Sequence, residues 1–167
     1  MDIFLEKIVK RRKTIVDIMV SISIILSALI IILFLFSLSF LSAFLPFLIV
    51  GIGYLAYMFV RNRSVEYEYI VTNGDLDIDM IIAQRKRKRI FSGSCKDFDM
   101  VAKLTSGQFD SNVQSIKKRI NAFTSIDSPD IYFITATKEG NRTLVLFEPH
   151  PKMVESFKKY IPRKVFE

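Results

Sequence analysis

The sequence predicts an α+β membrane protein: a two-helix transmembrane hairpin followed by an antiparallel β-sheet or barrel, capped by a C-terminal helix. Three observations carry this. Residues Ile18 to Val60 contain no Asp, Glu, Lys, Arg or His. From Ser64 onward, apolar and polar residues alternate with the period of a strand. Near the end, Met153, Val154, Phe157, Tyr160 and Ile161 recur at helical spacing between Pro151 and Pro162.

The uncharged run is 43 residues long. A hydrocarbon core of roughly 30 Å takes about 20 helical residues, and a single helix over the whole run would extend about 65 Å. Two spans fit instead, near 14–36 and 43–60, joined by Ser37-Leu38-Ser39-Phe40-Leu41-Ser42. Pro46 falls in the first turn of the second helix, where its missing N–H costs nothing. The apolar portion is too long for a secretory signal and lacks a small-x-small cleavage site, so it is expected to stay in the protein.

Lys7, Lys10, Arg11, Arg12 and Lys13 precede the run, Arg61 and Arg63 follow it, and the connecting loop is uncharged. Basic residues beside helix ends stay in the cytoplasm. The expectation is a multi-pass protein of the cell (plasma) membrane with both termini cytosolic. Its parts are a basic segment over 1–13, the hairpin over 14–60 and a cytosolic domain over 61–167. Asp17 should lie one turn into the first helix, in reach of head-group water or Lys13. Ser21, Ser23 and Ser27, with Gly51, Gly53 and Ala56 opposite, are small enough to permit close helix contact.

The net charge of +7 is shared by both polar portions, which points first to acidic lipid head groups, acidic proteins or nucleic acid. With Cys95 as the single cysteine, intrachain disulfides and multi-cysteine zinc sites are excluded. His150, the single histidine, stands between two prolines and reads as a turn residue before a helix.

In the polar part, Glu66 to Thr72 is β-branched and aromatic and runs into Asn73-Gly74, a strong hairpin signal. Asp75-Leu76-Asp77-Ile78-Asp79-Met80 alternates strictly. Ile81 to Gln84 reads as a turn or bulge. Arg85-Lys86-Arg87-Lys88-Arg89-Ile90-Phe91 then returns as a basic strand. Its charges either pair across the ladder with Asp75, Asp77 and Asp79 or face a ligand. Phe98 to Leu104 alternates again. Residues 111–123, carrying Lys117-Lys118-Arg119, read as a helix or lid. Ile131 to Thr137 and Thr143 to Phe147 form a hairpin, and a helix follows near 151–160. Strands are thus expected near 66–72, 75–81, 86–92, 131–137 and 143–148.

A helix closing the open end of a twisted sheet resembles the pleckstrin-homology plan. The likeness is carried by Tyr69-x-x-Thr72-x-x-x-Leu76-x-Ile78, the basic strand ending Ile90-Phe91, Phe98-x-Met100-Val101, and Phe147-x-Pro149 with Met153-x-x-x-Phe157. The whole chain is similar to bacterial membrane-anchored PH-like proteins, in particular a small type found in clostridia. Segment 105–128 departs from that pattern and matches no PH strand.

Phosphate loops, dinucleotide fingerprints, His-Glu-x-x-His and Gly-x-Ser-x-Gly are all missing, and Ser92-Gly93-Ser94-Cys95 reads as a turn. The sequence therefore implies no enzyme, no catalytic residues, no metal and no cofactor. Nucleic acid is disfavoured, because no aromatic interrupts the basic run for base stacking. The expectation is a membrane-anchored scaffold whose domain binds an anionic phospholipid head group or a protein partner through Arg85, Lys86, Arg87, Lys88 and Arg89. The alternative is an accessory subunit that contacts a larger membrane complex through its hairpin.

Overall fold

A computed structural model describes residues 3–138 and 140–167, with Lys138 described in its backbone alone. The chain divides into two compact units, one formed by residues through Arg12 and from Glu66 onward, the other by Lys13–Val65.

In the second unit, α1 (Ile15–Phe36) and α2 (Leu45–Arg61) are joined through a short 3-10 turn at Ser39–Leu41. Thr14 caps α1 reciprocally with Asp17: the Asp17 amide donates to Thr14 Oγ1 at 3.3 Å, and the Thr14 amide donates to the Asp17 carboxylate at 3.1 Å. Pro46 occupies the first turn of α2. None of the apolar side chains of α1 is buried, and Ile15 is 77% exposed. A soluble core helix would hide such a surface, so α1 is an apolar helix long enough to cross a bilayer. At 17 residues, α2 is a shorter apolar helix.

A groove along the seam of the two helices is lined by Ile24, Ser27, Ala28 and Ile31 of α1 and Ile52, Leu55, Ala56 and Phe59 of α2. Gly51 and Gly53 were expected at this seam, but open space lies beside both. On α2 the groove follows the 52, 55, 56, 59 row, which leaves 51 and 53 off it. Ser21, Ser23 and Ser27 donate back to carbonyls of their own helix, those of Asp17, Met19 and Ile24.

The other unit is built from two sheets. The first has the order β1 (Phe4–Lys10), β2 (Val65–Thr72), β3 (Asp75–Ile82), β4 (Lys86–Ser94). The basic N-terminal segment therefore does not stand apart from the domain. Phe4 to Lys10 pairs antiparallel with Thr72 to Glu66 in unbroken register, and Val9 is buried against the core face. The second sheet has the order β6 (Lys118–Ala122), β8 (Asn141–Phe147), β7 (Tyr132–Lys138), β5 (Phe98–Lys103), β9 (Val165–Phe166). It departs from the all-antiparallel expectation in two places, since β6 with β8 and β5 with β9 are parallel.

Tyr69, Phe98, Phe147 and Phe157 are fully buried between these elements. The helix α4 (Pro151–Tyr160) buries Met153, Val154 and Phe157, with the Phe157 ring edge-on to Phe98 at 6.1 Å. His150 caps α4, its Nδ1 accepting the Lys152 amide at 3.3 Å. Cys95 is buried in a 3-10 turn between β4 and β5. Segment 105–128 is neither one helix nor a lid. It holds the short α3 (Ser111–Gln114), then β6. Val113 and Ile116, with Phe109 beside them, cover Phe133, Leu144 and Leu146 on the far face of the second sheet and make a second small core.

Candidate functional site

The basic run lies where the sequence places it, on the last strand of the first sheet. The β3–β4 hairpin turns at Ala83 and Gln84, both left-handed at φ 54° and 57°, and the Arg85 amide donates to the Ile82 carbonyl at 3.1 Å. Two successive positive φ values are the mark of the type I′ turn that suits a twisted hairpin. Arg85 lies in this turn, and Lys86 opens β4.

A register shift decides which basic residues meet the acidic ones. Ile78 lies opposite Phe91, but Asp79 lies opposite Arg89, so Ile90 is an extra, bulged residue. Without it, Asp79 would face Ile90 and the parity of the strand would be reversed. With it, Arg87 and Arg89 share the face of Asp77 and Asp79. Arg89 Nε sits 3.0 Å from Asp79 and its Nη1 3.0 Å from Asp77. Arg87 Nη2 reaches past β3 to Glu68 of β2, 3.0 and 2.9 Å from its two carboxylate oxygens. Asp75 was expected in this ladder, but it lies opposite Ser94 instead.

Glu68 and Asp79 are buried and Asp77 is partly exposed, while the arginines are half exposed. The side chains of Glu68 and Asp79 are 4% and 5% exposed, against 56% and 52% for Arg87 and Arg89. Burial pushes the Glu68 carboxyl above its ordinary range, the Arg87 charge draws it back, and Glu6 pushes it up further. Arg85, Lys86 and Lys88 are exposed, and among the described residues none of them has an ion-pair partner. The five-residue run thus divides into two arginines engaged within the sheet and three cations open to solvent.

Next to this strand is a cleft of about 500 Å³. It is lined by Ile90, Phe91, Ser92 and Gly93 of β4, Phe98 of β5, Lys118 and Ile120 of β6, and Ala136 and Thr143 of β7 and β8. Lys118, Thr143 and Ala136 are register neighbours across β6, β8 and β7. Asp97 and Thr137 add polar groups to the lining. Sequence reasoning missed this feature because its lining joins β4 to strands of the other sheet, among them β6, which pairs in parallel and so carries no hairpin signal. Among the described residues, no three His, Cys, Asp or Glu side chains gather as a metal site.

Two mostly antiparallel sheets closed by a C-terminal helix fit the PH-like plan. The family described as Bacterial PH-like domain (DUF6106) matches residues 1–167, and the chain belongs to it. No curated protein and no solved structure matches the chain.

Proposed function

We propose that this chain is a non-enzymatic, membrane-anchored binding module. In this reading α1 and α2 cross the membrane as a hairpin, both termini are cytosolic, and the PH-like domain binds an anionic head group or a protein partner at the inner leaflet. The pairing of β1 with β2 carries the proposal. Lys10 lies opposite Glu66, yet the whole apolar hairpin is inserted between them. A chain that leaves one strand and returns to its neighbour must cross a bilayer an even number of times.

Other features support two crossings. At about 1.5 Å per residue, α2 reaches roughly 26 Å, the lower end of spanning length. Its last turn carries Arg61, whose guanidinium donates to the Tyr57 hydroxyl at 3.0 Å and lies over that ring, an interfacial pairing. Arg63 meets Asp17 at 2.7 Å, which neutralises both charges at the foot of the hairpin. At the domain, Arg85, Lys86 and Lys88 are the cations available to an anionic surface. A second reading, an accessory subunit docked through the hairpin, is favoured by the apolar groove of about 200 Å³ at Ser27, Ala28 and Ala56.

Topology is testable by cysteine labelling. Cys95 is buried, so its silence would say nothing, and it is first replaced by Ser. In that background Ser39→Cys should react with an impermeant maleimide in intact cells, and Gln84→Cys only after permeabilisation. The reverse pattern overturns the orientation, and labelling of both positions in intact cells overturns the anchoring.

A further inference from the structure

We infer that the cleft beside β4 receives an extended acidic segment of a partner protein, which adds to the first sheet as a further strand. This rests on the reading of the domain as a binding module and names the partner's chemistry; it does not depend on the number of membrane crossings.

The lining pattern identifies what each wall offers. Successive side chains of a strand point to opposite faces, so a surface bordered by alternate residues is a strand's face. From β4 the cleft is bordered by Ile90, Phe91, Ser92 and Gly93 in succession, and β4 is the terminal strand of its sheet. As the terminal strand, β4 has a second row of backbone groups with no strand partner among the described residues. From β6 the cleft takes Lys118 and Ile120, alternate residues, and hence one face. One wall thus offers main-chain hydrogen bonds and the other a side-chain platform, which is the arrangement that strand addition uses.

Charge selects the occupant. Lys86 and Lys88 continue the β4 edge beyond the cleft, and Lys118 stands on the opposite wall. All three are exposed, and among the described residues they have no ion-pair partner. Asp97 is the opposing charge in the lining. Phe91 and Ile120 supply apolar wall between the cations. A segment alternating acidic and aliphatic residues matches both, whereas a lipid head group would use the cations and leave the backbone edge and apolar wall without a role.

The full-length protein in neutral phosphatidylcholine nanodiscs tests this, with a fluorescein-labelled alternating Glu-Val peptide as probe. The peptide should bind, a Lys-Val peptide should not, and methylating alternate amides should weaken binding about tenfold by removing backbone hydrogen bonds. Lys88→Glu with Lys118→Glu should weaken it about tenfold as well while leaving the melting temperature in place. Binding that survives amide methylation overturns strand addition. Binding that survives the charge reversals overturns the acidic assignment. If the peptide fails but the domain engages phosphatidylglycerol nanodiscs through Lys86 and Lys88, the inference falls and the module reading stands. If neither binds, both fall.

Discussion

The Glu148 amide donates to the Tyr69 hydroxyl at 3.3 Å, and that hydroxyl in turn donates to the Ala122 carbonyl. One phenol thereby joins β2 of the first sheet to β6 and to the end of β8 in the second. Its ring also packs edge-on to Phe147 at 5.6 Å. The Glu148 carboxylate continues the network, accepting from the Thr124 amide at 3.1 Å and from its hydroxyl at 2.7 Å. Replacing Tyr69 by Phe keeps the ring and orphans a buried carbonyl and amide. The expected cost is about 1–3 kcal/mol, measured by thermal unfolding of the full chain in detergent.

The same residue shapes stability at alkaline pH. Burial, above all, pushes the Tyr69 phenol up from its ordinary 10.0. The unfolded chain loses this proton near pH 10 while the native chain keeps it. Stability from this group is complete below that pH and declines as pH rises beyond it. Tyr69→Phe should flatten the decline above pH 10. Some slope should remain, because burial raises Tyr67 as well.

The basic strand should divide in two under mutation. Arg87→Gln leaves the buried Glu68 carboxylate without its cation and should cost about 1 kcal/mol, the modest size reflecting the half-exposed guanidinium. Arg89→Gln, which uncovers Asp77 and Asp79, should lower the melting temperature in the same direction. Gln at Arg85, Lys86 and Lys88 together should leave melting unchanged. Equal sensitivity at all five positions would contradict the parity set by the Ile90 bulge.

Gly74→Ala should destabilise the first sheet. Gly74 turns β2 into β3 at φ 91°, and a Cβ there would sit 2.9 Å from both the Cys95 sulfur and the Tyr160 ring. Backbone strain and overpacking together predict a loss of about 2–4 kcal/mol, seen as a lowered melting temperature.

A fragment of residues 64–167 lacks β1 and should aggregate, because the β2 edge is left open and Val9 no longer covers the core. Joining Lys10 to Glu66 through a short Gly-Ser turn in place of the hairpin should restore a soluble, cooperatively melting domain. Size-exclusion chromatography and thermal melts of the two proteins distinguish the outcomes.

Most of the domain was legible in the sequence wherever strands declare themselves locally. Asn73-Gly74, the alternation through Asp75 to Met80, the hairpin through Gly140 and the Pro151 helix start all encode neighbours in the chain, and each element stands near its expected position. What escaped depends on distant pairing. β1 is a short, charge-rich stretch that becomes a strand because β2 offers it an edge. β6 holds only one buried residue, Ala122, and earns its place from β8. The candidate site was half legible for the same reason. Arg85 to Arg89 could be read directly, whereas the bulge that sorts them and the wall containing Lys118 could not.

If the two helices cross a bilayer as proposed, the placement of β1 ahead of them would also make the domain a checkpoint on its own membrane insertion. The first strand is synthesised before either helix, and its partner emerges only after both. A chain threaded with a single crossing would leave the two strands in different compartments, with the second exposing its open edge and uncovered core. On that topology only a correctly looped chain would complete the sheet, and quality-control proteases would tell the two apart by sensing an unfinished β-strand, without inspecting the apolar segment itself.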